Sequence, residues 1–200
     1  MIPNRNPPNA HPSNPTVLRR PPTRPISAIV GCPPKSSVKA GRSTSFVGWS
    51  DGACTALILA RNAALRSAGV FFFACKMDPS GLKDIERSPA LSRCLARHRK
   101  DYAQLSTTPD QFATFAEAVG RMQRTEPNYS IHDLARVHVP VAIVQGEHDE
   151  FIKLEHAKYL AGSIPGAELI LLPGVSHFAP LQRPEKFNQV MLTFLGKLPF

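Results

Sequence analysis

At 200 residues with 42% hydrophobic content, the chain can bury one substantial core and is too short for two comfortable domains. The formal charge of +9 is lopsided: the first 50 residues hold Arg5, Arg19, Arg20, Arg24, Lys35, Lys39 and Arg42 and no Asp or Glu, while the rest carries 17 basic and 15 acidic side chains. Charge alone, without interleaved aromatics, argues against a nucleic-acid partner, and with no apolar run near the length of a membrane span no membrane partner is expected.

Ten of the 20 prolines fall within the first 40 residues. Proline removes backbone donors and restricts the residue before it, so residues 1–43 are expected to be a Pro/Arg-rich leader, disordered or unrelated to the fold that follows. Its only apolar stretch is Ile26 to Gly31, which lacks the length of a secretory signal core. Cys32, Cys54, Cys75 and Cys94 form no CxxC pair, and Cys54 and Cys75 sit in apolar segments where a thiol behaves as a small hydrophobe. A reducing, cytoplasmic setting is expected, without a metal or other cofactor.

Regular signals begin near Ser45. Phe46 and Val47 end a short apolar strand, and residues 52–66, "GACTALILARNAALR", read as a helix apolar nearly all round. "GVFFFAC" (Gly69 to Cys75) is a continuous apolar run of strand length, the pattern of a parallel strand buried on both faces. After a turn signal at Asp78 to Gly81, residues 82–137 carry several helical signals and no strand signal. The clearest is "PDQFATFAEAVGRMQR", whose Phe112, Phe115, Ala116, Val119 and Met122 recur at helical spacing and predict an amphipathic helix packing on a core. Strand character returns at Val139 to Gly146, a helix follows near Lys153 to Ser163, then a strand at Ala167 to Pro173. A last helix, Pro184 to Leu195, is expected to bury Phe187, Val190, Met191 and Phe194. Such alternation with short connections predicts an α/β fold, a parallel sheet covered by helices.

The chemistry-bearing stretch is "FVGWSDG" (residues 46–52), a Gly-x-Ser-x-Gly between an apolar strand and a buried helix. Chance alone gives such a pentapeptide in roughly one of fifteen chains this long, so the strand-turn-helix setting is what gives it weight. The turn must be sharp, and a Cβ at either flanking glycine is expected to crowd neighbouring backbone. Asp149 lies in the loop after one apolar strand and His177 in the loop after the last, both at the carboxyl edge of a parallel sheet, where ligands of open α/β sheets bind. Glu147 and Glu150 are rival acids in the first loop; register favours Asp149. His98, His132, His138, His148 and His156 read as solvated, and a His148/His156 metal pair lacks supporting ligand spacing.

On these motifs the chain from about Ser45 to Leu195 resembles the α/β-hydrolase fold family, with "FVGWSDG" similar to its nucleophile elbow. "VPVAIVQGEHDEFI" resembles its acid strand and loop, and "GVSHFAPLQRPEKFNQVMLTFL" its histidine loop and final helix. The GWSDG form and the compact insert are similar to the valacyclovirase-like (biphenyl hydrolase-like) esterases. The resemblance implies that residues 44–200 hold the C-terminal part of the fold, with residues 78–137 as a cap. It implies a serine hydrolase acting on a small carboxylic ester or similar acyl substrate. Ser50 would be the nucleophile, His177 the general base and acid, Asp149 the group orienting it, and the backbone N–H of Asp51 an oxyanion donor. The basic segments "SRCLARHRK" and "GRMQR" give the cap a charged face that reads as solvated, with attraction of an anionic substrate as the alternative.

The family places several strands and a His-Gly type loop before the elbow; upstream of Ser45 no such loop is found, and Ile26 to Gly31 has the length of one strand, not of half a sheet. The strand ending at Val47 is therefore expected at an edge, activity is expected to be impaired, and self-association through that edge is expected. The rival reading is an inactive remnant that acts as an interaction protein through the same edge.

Overall fold

The computed structural model of the chain describes residues 43–84 and 89–199, and the leader expected over residues 1–43 lies outside these up to residue 42. Four strands, β1 (Thr44–Trp49), β2 (Ser67–Phe73), β3 (Val141–Gly146) and β4 (Glu168–Leu172), form one sheet in the order β1-β2-β3-β4. All three pairings are parallel, so every link must cross a face of the sheet. The helices are α1 (Asp51–Asn62), α2 (Pro89–Leu105), α3 (Phe112–Thr125), α4 (Ile131–Leu134), α5 (Leu154–Ser163), α6 (Ala179–Gln182) and α7 (Pro184–Leu195).

Every residue of β2 is buried, which is why its sequence is a run of apolar residues and not an alternation. Side chains still alternate between faces. Val70 and Phe72 join Ala53, Leu57 and Ala60 of α1 and Leu160 of α5 in one apolar cluster, which Leu134 of α4 completes. Phe71 and Phe73 point the other way, into a cluster with Phe187 and Phe194 of α7. Phe73 and Phe187 meet edge to face with centroids 5.0 Å apart. Truncating a buried Phe to Ala typically costs about 3–5 kcal/mol, so Phe71, Phe72 and Phe73 of β2 anchor both layers to the sheet.

Two expectations need correction. The helix expected over residues 52–66 stops at Asn62 and buries one face only; a short 3-10 turn, Ala64–Arg66, follows, with Leu65 fully exposed. That turn is needed because β2 starts at Ser67, whose hydroxyl donates to Ala63 O at 2.8 Å. The second correction is α3, which contributes no buried residue and leaves Phe115 and Met122 about half exposed. Its phenylalanines pack instead on Tyr102 of α2, at 5.6 Å from Phe112 and 5.1 Å from Phe115. The apolar face of α3 thus serves a local contact within the insert and not the main core.

Because the strands are parallel, their carboxyl ends share one edge. Ser50 follows β1, Asp149 follows β3 and His177 follows β4, all at that edge. Among the described residues β1 is an outer strand, with Val47 48% and Trp49 36% exposed.

Candidate active site

Between β1 and α1 the chain reverses in a single residue. Ser50 takes φ 54° and ψ −133°, a positive φ uncommon for any residue but glycine and costing on the order of 1–3 kcal/mol. The conformation is held from both sides: Ser50 N–H donates to Phe73 O at 3.0 Å, and Ser50 O accepts from Ala53 N at 2.7 Å. Gly48 makes the reversal possible, since a Cβ there would lie 2.4 Å from both Ala53 Cα and Gly52 O. Gly52 does not share this constraint: a Cβ there meets nothing within 4 Å among the described residues, because it sits on the exposed side of the first helical turn. Ser50 is half-buried and makes no side-chain capping bond to α1, which leaves its hydroxyl uncommitted to the helix. Asp51 is the first residue of α1, so its N–H has no acceptor within the helix.

Asp149 is 2% exposed and His177 5%. A carboxylate at that depth needs full hydrogen bonding. Asp149 Oδ1 accepts from Phe151 N and Ile152 N, both at 2.8 Å, and Oδ2 meets His177 Nδ1 at 3.0 Å. With a carboxylate accepting at Nδ1, the ring proton sits there and Nε2 keeps its lone pair. The rival acids have other duties. Glu147 accepts from Gly174 N at 2.8 Å and Glu150 from His177 N at 3.0 Å, so both tie the two loops together through backbone. The loops run so close that a Cβ on Gly146 would lie 2.5 Å from Ser176 O.

Ser50 and His177 share no hydrogen bond among the described residues; the neighbour of the serine makes the link. Trp49 Nε1–H donates to His177 O at 2.9 Å, and its ring lies 6.1 Å from the imidazole and 6.2 Å, edge to face, from Phe178. On the other side Phe151 stands edge-on to the imidazole at 4.7 Å. The sequence reading did not single out Trp49 or Phe151. The available signal was that Trp49 is the chain's one tryptophan and lies inside the pentapeptide.

The insert reaches this edge too. Gln123 of α3 donates to Asp51 Oδ2 at 2.8 Å, and Lys83 Nζ donates to Asp149 O at 2.6 Å. The arginines of α2 are exposed, Arg97 bonding Asp101 within the helix and Arg99 lying over Phe112. Among the described residues no group of three or more His, Cys, Asp or Glu could hold a metal ion, and no helix is long and apolar enough to cross a membrane. A half-exposed serine at a strained turn and a buried His-Asp pair on the same sheet edge can together perform nucleophilic acyl chemistry.

Known proteins carry the same arrangement of elements. The chain is 28% identical over 163 residues to the serine hydrolase BPHL of Mus musculus, a match covering 77% of this chain and 55% of that one. It is 28% identical over 88 residues to a 2-hydroxy-6-oxononadienedioate/2-hydroxy-6-oxononatrienedioate hydrolase of Paraburkholderia phymatum, covering 44% of this chain and 30% of that one. The chain therefore spans about half the length, or less, of these curated relatives. Among solved structures, a serine hydrolase involved in carbazole degradation superposes with a TM-score of 0.58 at 20% identity, covering 78% of this chain and 64% of that one. The enol-lactonase from Burkholderia xenovorans LB400 gives 0.53 at 18%, covering 78% and 66%. At these identities the structural likeness speaks for the fold. The model of the alpha/beta hydrolase family matches residues 13–190, most of the chain, and the chain belongs to that family.

Proposed function

We propose that the chain is a serine hydrolase cleaving a small carboxylic ester or a similar acyl substrate, with Ser50 as nucleophile, His177 as base and Asp149 as its orienting acid. The observation that carries this reading is the buried 3.0 Å Asp149–His177 bond at the sheet edge where Ser50 is held at positive φ. Ser50 Oγ attacks the acyl carbonyl as Nε2 of His177 takes its proton. Asp149 keeps the proton at Nδ1 and stabilises the imidazolium. The tetrahedral oxyanion takes a hydrogen bond from Asp51 N–H, where the positive end of α1 adds to it. The protonated imidazole then delivers its proton to the leaving alcohol. Water repeats the sequence on the acyl-enzyme and releases the acid, with no cofactor required. The insert over residues 78–137 acts as the cap, since Gln123 and Lys83 bring it to Asp51 and Asp149. A cytoplasmic setting is part of this reading.

Incubating the folded chain with a fluorophosphonate probe tests this. Labelling is expected at Ser50, absent in Ser50→Ala and slowed about 10⁴-fold or more in His177→Ala. A folded wild-type chain that takes no label would end the hydrolase reading.

A second reading rests on a separate observation, the outer position of β1 among the described residues, with Val47 nearly half exposed. It is self-association through that edge, with or without catalysis.

A further inference from the structure

Cys54 belongs to the start of α1, close behind Ser50, and Cys75 lies just past the end of β2. Their sulfurs are 2.9 Å apart. Both are free and buried, 6% and 4% exposed, within the same apolar cluster as Leu57 and Met77. Cys54 Sγ also donates to Lys76 O at 3.0 Å, so the two thiols are held against each other by packing and by hydrogen bonding. A disulfide needs sulfurs about 2.05 Å apart, less than ~1 Å of further approach. Cys94, the third described thiol, lies on α2 of the insert and has no such contact among the described residues.

We propose that Cys54 and Cys75 are a redox pair that closes to a disulfide beneath the elbow, tying α1 to the end of β2. The oxidant is a small disulfide of the glutathione class. One cysteine thiolate attacks a sulfur of glutathione disulfide, forming a mixed disulfide and releasing one glutathione thiolate. The second cysteine thiolate attacks the protein sulfur of that mixed disulfide and releases the other glutathione. Two protein thiols thereby lose two electrons, glutathione disulfide gains them, and the two protons end on the released glutathiones. The hydrogen bond that the Cys75 thiol donates to Cys54 Sγ, together with burial, pushes the Cys75 thiol far above its ordinary value. Attack from the closed native chain is therefore slow, and the bridge forms when α1 opens or as the chain folds. Once closed, it spans the same two segments as the Ser50 N–H to Phe73 O bond and braces the strained turn. The inference holds whether or not Ser50 acylates.

The test is to refold the full chain carrying Cys32→Ser and Cys94→Ser in glutathione buffers of graded ratio, quench in acid, alkylate, digest and map the peptides. The expected result is a linked Cys54/Cys75 peptide, lighter by two hydrogens and freed by reductant, whose yield follows the ratio of glutathione disulfide to squared glutathione. The oxidised chain is expected to melt at a higher temperature than the reduced one. Alkylation of both thiols at every ratio would overturn the proposal. The wild-type chain, mapped the same way, covers a failure of the double variant to refold: the same linked peptide supports the pair, and bridging of either thiol to Cys32 or Cys94 in its place overturns it.

Discussion

Three carboxylates crowd the loop after β3, and their hydrogen bonds sort them: Asp149 takes the imidazole, while Glu147 and Glu150 take backbone N–H groups of the facing loop. The order of Ser50, Asp149 and His177 and their places after strands were legible, because apolar strands followed by short loops fix which residues reach the carboxyl edge. Trp49 was not, because its partner is the carbonyl of a residue 128 positions away and no local pattern marks that contact. Its indole N–H is the one side-chain hydrogen bond from the elbow to the histidine loop among the described residues. Trp49→Phe keeps a ring against His177 and Phe178 and removes that donor. A neutral hydrogen bond is worth about 0.5–1.5 kcal/mol net, so fluorophosphonate labelling of Ser50 should slow about threefold to tenfold. The slowing should be equal at every pH, since the bond sets the position of the imidazole and not its charge. A variant labelled as fast as wild type would show that Trp49 only fills space.

The insert is pinned to the sheet at both of its ends, and His156 of α5 is central to the first. His156 Nε2 accepts from Met77 N at 3.1 Å, and Nδ1 lies 3.8 Å from Asp78 Oδ2. Next to it Lys153 donates from N to Gly81 O and from Nζ to Ser80 O, and Leu82 bridges Ile152. At the other end Lys76 Nζ donates to Glu126 O, and Tyr129 N to Met77 O. The sequence reading placed His156 in solvent with His98, His132, His138 and His148; those four are exposed, and His156 is 5% exposed. A histidine among helical apolar positions looks solvated until the N–H it accepts is known, and that N–H lies 79 residues away. The same blindness to partners explains α3, whose period was legible and whose packing on α2 was not. Burial holds the His156 pKa below its ordinary 6.5, with Lys76 and Lys153 adding to the shift and Asp78 opposing it; the Tyr159 ring packs alongside. The unfolded chain therefore binds a proton as pH falls through about 6.5 while the folded chain does not, and stability drops in that direction. Above that pH the contribution is complete. Urea midpoints at pH 7.5 and 5.5 should fall more in wild type than in His156→Gln, whose amide oxygen can still accept from Met77 N. Equal falls in the two proteins would assign the pH dependence to other groups.

The order β1-β2-β3-β4 means that each crossover steps one strand in the same direction. Crossovers of this kind are right-handed in nearly all proteins, so steps in one direction put their helices on one face, and α1, α4 and α5 do share one cluster. The opposite face has to be covered by α7, which follows the last strand, and its cluster draws on β2, β3 and β4 with no residue of β1. Alternation along the sequence made the parallel sheet legible, but not this uneven cover, which depends on how far α7 reaches. Phe46 points to the α1 side, where it packs on the core. Val47 and Trp49 alternate to the α7 side and are 48% and 36% exposed. Among the described residues the outer strand is thus bare in two respects, with no strand paired along its outer edge and apolar side chains exposed on one face, the combination that templates strand addition. A second copy of the chain offers the same edge, and two such edges can pair about a twofold axis. Sedimentation across a range of concentrations should show a reversible dimer, and Val47→Lys, which sets a charge on the bare face, should shift it toward monomer without changing the fold. A wild-type chain that stays monomeric at every concentration would mean that β1 is shielded from strand addition, and the self-association reading would fall while the hydrolase reading stood.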